Sequence, residues 1–178
     1  MIPPTAAGVS APPSERTLQA NLAAIARLCP DAARAIERAA SRSGIEFIDA
    51  SDGLVTARVD GRLLSSAKKP GEEAERFASS VDVQEAAGVA VLGFGAGHHI
   101  GALAERVRRD GALIVFEPDV GLLRAVLERI DHSAWMHATH FVLATAPDDG
   151  PALSAALKGL EGQVAMGMEI VEHAPSRV

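Results

Sequence analysis

The chain has 178 residues, 48% of them hydrophobic, and a formal net charge of −6, so it is long and apolar enough for one globular domain and is not intrinsically disordered. Aromatic residues make up only 3% and no basic patch is present, which argues against nucleic acid as a partner. The single cysteine, Cys29, excludes an intramolecular disulfide and fits a cytoplasmic protein, and no apolar run approaches the ~20 residues of a membrane-spanning helix.

The beginning of the chain predicts two helices. Residues 1–13 are rich in Pro, Ala, Gly and Ser and have no signal-peptide features, so we expect a flexible segment. Ser14 is a predicted N-cap for a helix whose apolar residues recur at helical spacing up to Leu28. A second helix is predicted over 31–41, and Gly44 is a suitable residue to end it.

The next segment has the pattern of a small antiparallel β meander. Short β-type runs at 45–48, 54–59 and 62–64 are separated by Asp-Gly turns, which are a hairpin signal. Pro70 then fits the first turn of another helix, whose early glutamates suit the positive end of the helix dipole.

The second half of the chain alternates short apolar runs with amphipathic segments. The predicted strands are 89–92, 113–116, 141–144 and 164–171, and the predicted helices are 100–109, 120–130 and 151–160. This alternation predicts a parallel sheet with right-handed crossovers. The fold class is therefore α/β, with a Rossmann-like, mostly parallel sheet of methyltransferase-like βαβαβ order after a helical segment and a meander. We expect residues 14–88 and 89–178 to form one compact domain.

A glycine-rich turn, GFGAGHH, follows the first of these strands. Glycine permits positive φ angles and lets a ligand approach the backbone, and the helix after the turn offers free N–H groups to an anion. The second strand ends in Glu-Pro-Asp, and its glutamate follows the first glycine at close to the ~20 residues expected of an acid that holds a ribose. The predicted ligand-binding residues are Gly93, Gly95, Gly97, His98, Glu117 and Asp119.

The spacing of the glycines leaves the ligand open. G-x-G-x-G differs from the dinucleotide fingerprint G-x-G-x-x-G. It is similar to the first motif of S-adenosylmethionine-dependent methyltransferases, in which an acid such as Glu117 holds the cofactor ribose, although Val91 and Leu92 stand where that family often has another acid. A nucleotide, a nucleotide-sugar and S-adenosylmethionine are therefore all candidate ligands, and a small S-adenosylmethionine-dependent methyltransferase is the alternative function as an enzyme. A structural or interaction domain, with a scaffold turn and Glu117 as a helix cap, is the alternative without a ligand.

The ordered set of motifs resembles the amino-terminal domain of the motility-associated factor (Maf) flagellin glycosyltransferases, which are related to a family that includes 6-hydroxymethylpterin diphosphokinase. The resemblance covers about 54–130 and rests on VLGFGAGHH at 91–99, VFEPD at 115–119, DGRLLSS at 60–66 and PGEEA at 70–74. It implies a Rossmann-like domain with a ligand-binding turn. Family members are usually longer and carry their transferase region after this domain, so the resemblance implies a domain fragment or a stand-alone relative. A transferase domain or partner protein is then the expected source of catalysis.

The histidines predict no metal site. Neighbouring residues on a helix point about 100° apart, so His98 and His99 do not bind one metal as an i, i+4 pair does. His98 is a candidate hydrogen-bond donor to an anion at the helix start, whereas His99 is expected to cap or pack. His132, His137 and His140 are expected to be solvated loop residues. No G-x-S-x-G, H-E-x-x-H or phosphate-loop motif occurs.

Overall fold

The computed structural model describes residues 13–83, 86–107 and 111–176. Residues 1–12, most of the predicted flexible segment, lie outside the described residues. The helices in the described part are α1 (Pro13–Ala26), α2 (Pro30–Arg38), α3 (Pro70–Ser79), α4 (His98–Arg106), α5 (Val120–Arg129), α6 (Ser133–Ala138), α7 (Gly150–Ala156) and α8 (Glu161–Met166). The strands are β1 (Glu46–Asp49), β2 (Val55–Val59), β3 (Arg62–Leu63), β4 (Gly88–Leu92), β5 (Ala112–Phe116), β6 (His140–Ala144) and β7 (Met168–Glu172).

The two amino-terminal helices form where the apolar spacing predicts them. Proline occupies the first turn of α2, because its fixed φ suits a helix start and its missing N–H has no partner there anyway. This helix ends at Arg38, before Gly44, since Ala39 already has extended backbone angles. Helix α1 buries Leu18 and Ile25 and packs against α2, α5 and α6. It therefore connects the amino-terminal helices to two helices of the second half.

The predicted meander is present as the sheet β1-β2-β3. Its strands pair antiparallel, with Phe47 opposite Ala57 and Val59 opposite Arg62. Asp60 and Gly61 form the second turn, and both have positive φ angles of 49° and 81°. Helix α3 follows the meander and packs against α4. The hydrogen bond between His98, at the start of α4, and the Val55 carbonyl oxygen of β2 places the meander beside the glycine turn.

The second half of the chain forms a four-stranded parallel sheet, which confirms the predicted α/β fold class. Its strand order is β6-β5-β4-β7, the first part of the doubly wound order that is typical of Rossmann folds. The last residues of the strands lie side by side, since Leu92 pairs with Phe116 and with Glu172, and Phe116 pairs with Ala144. The chain order changes direction between β4 and β7, and ligands of open α/β sheets bind at the carboxyl edge beside such a point.

Two predicted elements differ from the structure near the end of the chain. The predicted strand 164–171 begins inside helix α8, because Gly167, with φ of 106°, ends that helix and β7 starts only at Met168. The predicted helix 151–160 is shorter, as α7 spans Gly150–Ala156. Helix α6 was not predicted. Helix α4 ends at Arg106, before the predicted end at residue 109, since Val107 has extended backbone angles.

The core lies between the parallel sheet and its helices. Ala, Val and Leu make up most of it, and Phe94 and Phe141 are its largest fully buried side chains. Strand β7 is the exception among the parallel strands, since Ile170 on it is 70% exposed. None of the helices in the described part of the chain has the length and apolar character needed to cross a membrane.

Candidate functional site

A crevice with a volume of about 330 Å³ lies at the carboxyl edge of the parallel sheet. Leu92 and Gly93 line it from the end of β4, Glu117 from the end of β5 and Glu172 from the end of β7. The loop after β6 adds Pro147. All four parallel strands therefore contribute to one crevice of a size suited to a small ligand.

Glu117 joins the end of β5 to the glycine turn. Its side chain is buried, with 4% exposure. One carboxylate oxygen, Oε2, accepts the Phe94 backbone N–H at 2.9 Å, and the other, Oε1, accepts the Asp119 N–H at 3.0 Å. Burial raises the pKa of Glu117, and these two N–H groups oppose that rise. The carboxylate is thus held in one orientation at the wall of the crevice.

Asp119 is the N-cap of helix α5. Its Oδ1 accepts the Leu122 N–H at 2.8 Å, and its Oδ2 forms an ion pair with Arg42, which also contacts Asp60. The capping role that the sequence left open for Glu117 therefore belongs to Asp119. Both oxygens of Asp119 have protein partners while the residue lines the crevice.

The glycines of the turn face side chains of the same chain. Gly93 has φ of 94°, and a Cβ atom there would lie 2.5 Å from Cβ of Ser176. A Cβ on Gly95, whose φ is 51°, would overlap Oγ of Ser176. Gly97 faces the ring of His132 instead. The turn needs glycine both for its backbone angles and because Ser176 packs directly on it.

A buried pair of histidines contacts the glycine turn and the serine that packs on it. The rings of His99 and His173 stack with centroids 3.7 Å apart. Nε2 of His99 lies 3.2 Å from the Gly93 carbonyl oxygen, and Nδ1 of His173 lies 2.6 Å from Oγ of Ser176. Burial lowers the pKa of His173 to about 4 and that of His99 well below its ordinary value. Sequence reasoning missed His173 and Ser176, since neither belongs to a local motif.

The stability of the protein is expected to fall as the pH is lowered from 7 to 5. The pKa of His173 is about 4 in the folded chain and about 6.5 in an unfolded one. The unfolded chain therefore takes up a proton first, and the stabilisation present above pH 6.5 is lost towards pH 4. Because of this histidine, the free energy of unfolding is expected to be about 2 kcal/mol lower at pH 5 than at pH 7.

Urea unfolding at pH 7, 6 and 5 measures this change. The free energy of unfolding should depend less steeply on pH in His173→Gln than in the wild type. The exposed His140 supplies the control, since His140→Gln should retain the wild-type slope, and equal slopes for all three proteins would contradict this assignment.

The remaining histidines divide into buried and exposed ones. His98 begins helix α4, but its Nε2 lies 2.7 Å from the Val55 carbonyl oxygen in the meander, away from the crevice. The prediction of solvated loop residues is wrong in part for all three histidines it covered. His137 and His140 are exposed but lie in α6 and β6, and His132 is buried between the glycine turn and Trp135. Its Nε2 donates to the Ala96 carbonyl oxygen at 3.0 Å, and burial lowers its pKa to about 3.

The structure brings together three of the six predicted site residues. Gly93, Glu117 and Asp119 line the crevice, and Gly95 lies behind Ser176. Gly97 and His98 face the other side of the turn. Across 13–83, 86–107 and 111–176, no group of three or more His, Cys, Asp or Glu side chains is arranged to hold a metal ion.

The strand order and the position of the crevice place the chain in the class of Rossmann-like α/β domains. The sequence matches no protein-family model and no curated protein. Among solved structures, the chain is similar to the Maf glycosyltransferase from Magnetospirillum magneticum AMB-1, with a TM-score of 0.55 and 14% sequence identity. The match covers 81% of this chain and 30% of that one. The chain therefore spans less than a third of the protein it matches, and the likeness shows a shared fold.

Proposed function

We propose that the chain is the Rossmann-like amino-terminal domain of a Maf-type glycosyltransferase system and that its crevice binds a nucleotide-like ligand. The observation that carries this proposal is the buried Glu117 carboxylate at the end of the second parallel strand, on the wall of a crevice beside the point where the strand order changes direction. Its oxygens accept the N–H groups of Phe94 and Asp119, and a carboxylate has about four acceptor positions, so capacity for a further donor remains. Ribose hydroxyl groups are such donors.

The proposed domain positions a ligand and does not catalyse by itself. Asp119 is engaged as a helix cap and in an ion pair. The hydroxyl of Ser176 bonds to His173 and packs on the glycine turn. These contacts hold the wall of the crevice in place, so we assign the transfer chemistry to a transferase domain or partner protein.

Calorimetric titration with CMP, UDP, GDP and S-adenosylmethionine tests the proposed ligand binding. We expect at least one ligand to bind, and Glu117→Gln to weaken that binding at least tenfold. Leu92→Trp should abolish binding by filling the crevice, because Leu92 lines it and is 42% exposed. Ile170→Trp is the matched control on the exposed face of β7, and it should bind like the wild type.

Circular dichroism and urea unfolding of each variant establish that the protein used is folded. Leu92→Trp replaces an exposed side chain, so it tests the crevice independently of the hydrogen bonds that Glu117 makes. No heat with any of these four ligands, or with the unphosphorylated nucleosides adenosine, cytidine, guanosine and uridine, in folded wild-type protein contradicts ligand binding and favours the scaffold interpretation. Equal binding by Leu92→Trp and the wild type would place the ligand elsewhere.

A further inference from the structure

We propose that the crevice takes a nucleoside without phosphate groups, either uncharged or positively charged, rather than a nucleoside diphosphate or a nucleotide-sugar. This inference rests on the proposed function and specifies the chemical class of its ligand. Three independent features carry it: the partners of the loop N–H groups, the packing on the glycines and the charges along the crevice.

The glycine turn already binds an anion that belongs to the chain. In dinucleotide-binding Rossmann folds, the N–H groups of this turn and the following helix receive the diphosphate. Here the Phe94 N–H donates to Glu117 Oε2 at 2.9 Å, and the Gly95 N–H also favours the charged form of Glu117. A phosphate that used these groups would have to displace a buried carboxylate.

The approach to the glycines is filled by the residue that follows β7 in a short 3-10 turn. Ser176 lies so close to Gly93 that a Cβ on the glycine would be 2.5 Å from Cβ of the serine, and it also covers Gly95. Ser176 is fixed by a 2.6 Å hydrogen bond to His173, whose ring stacks on His99. The space through which a diphosphate reaches the backbone is therefore occupied by packed protein.

The charges along the crevice disfavour a further anion. Glu117, Asp119 and Glu172 line it, and the lining residues in the described part of the chain include no lysine or arginine. Arg42 pairs with Asp119 and Asp60 from outside the crevice. A phosphate would lie near like charges in a partly buried site, whereas hydroxyl, amino and sulfonium groups of a nucleoside derivative would meet hydrogen-bond acceptors and negative charge.

A phosphate series tests this inference with the full chain. Adenosine, cytidine, guanosine and uridine are titrated beside their 5′-monophosphates and 5′-diphosphates, together with S-adenosylmethionine. We expect the preferred nucleoside to bind at least tenfold more tightly than its diphosphate, and the difference to shrink as salt screens the repulsion. Equal or tighter binding of the diphosphate overturns the inference and leaves the proposed ligand binding intact. Absence of binding by every compound overturns the proposed binding itself.

Discussion

Replacing Asn21 with leucine is expected to lower the free energy of unfolding by about 3–6 kcal/mol. The side chain of Asn21 is fully buried in helix α1, and its Nδ2 donates to the carbonyl oxygens of Leu127 and Ile130, both at 2.8 Å. Its Oδ1 accepts the His132 backbone N–H at 2.8 Å. Leucine has a similar shape but no polar atom, so three backbone groups where α5 ends and α6 begins lose their partner without gaining water.

Urea unfolding followed by circular dichroism measures this change. Gln19→Leu is the matched control, because Gln19 is exposed on the same helix, and we expect its effect to stay within about 0.5 kcal/mol. A loss below about 1 kcal/mol for Asn21→Leu would mean that the junction of α5 and α6 finds other partners. Asn21 is one of several residues that tie the amino-terminal helices to the Rossmann-like half. The contacts of Arg124 with Ile36 and Glu37 do so as well.

Replacing Gly97 with alanine is expected to cost about 2–5 kcal/mol. Gly97 is the N-cap of helix α4 and has φ of 81°, a conformation that costs an alanine about 1–2 kcal/mol. An added Cβ would also lie 2.7 Å from Cε1 of His132 and 2.8 Å from Cε1 of Phe94. Both rings are buried and cannot move aside without disturbing the core, so overpacking adds about 1–3 kcal/mol.

The variant Gly53→Ala separates the backbone cost of Gly97→Ala from its packing cost. Gly53 has φ of 83°, close to that of Gly97, but a Cβ there would meet no atom within 4 Å. It should therefore show the backbone cost alone, and the difference between the two variants in urea unfolding measures the packing against His132 and Phe94. Equal losses for the two variants would contradict close packing at the glycine turn.

Much of the fold could be predicted because its signals are local. The apolar runs of β4, β5 and β6 are buried along nearly their whole length, as expected of strands in a parallel sheet that is covered by helices. Asp-Gly turns marked the meander for a similar reason, since few other residue pairs accept positive φ angles at a tight turn. The end of the chain was harder to predict, because α7 and α8 bury no residue and so leave little periodic pattern in the sequence.

The candidate site likewise contains some residues that local sequence motifs predict and others that only tertiary contacts reveal. Glycine spacing and the acid after β5 are features of short segments, and they led to Gly93, Glu117 and Asp119 on one crevice. His173 and Ser176 gave no such signal, because their importance lies in contacts with His99 and Gly93 that only the pairing of β7 with β4 brings about. The burial of His132 depends likewise on distant residues, Asn21 and Ala96.

The sequence by itself determined the class of fold, the position of the glycine turn and the acid that ends the second parallel strand, since periodicity and turn chemistry act between near neighbours. Only the tertiary structure decided what the turn does. The carboxylate of Glu117 accepts the N–H of Phe94, and Ser176 covers Gly93 and Gly95. These contacts join residues far apart in the chain, so the local sequence pattern, which left the ligand of the turn open, could not predict them.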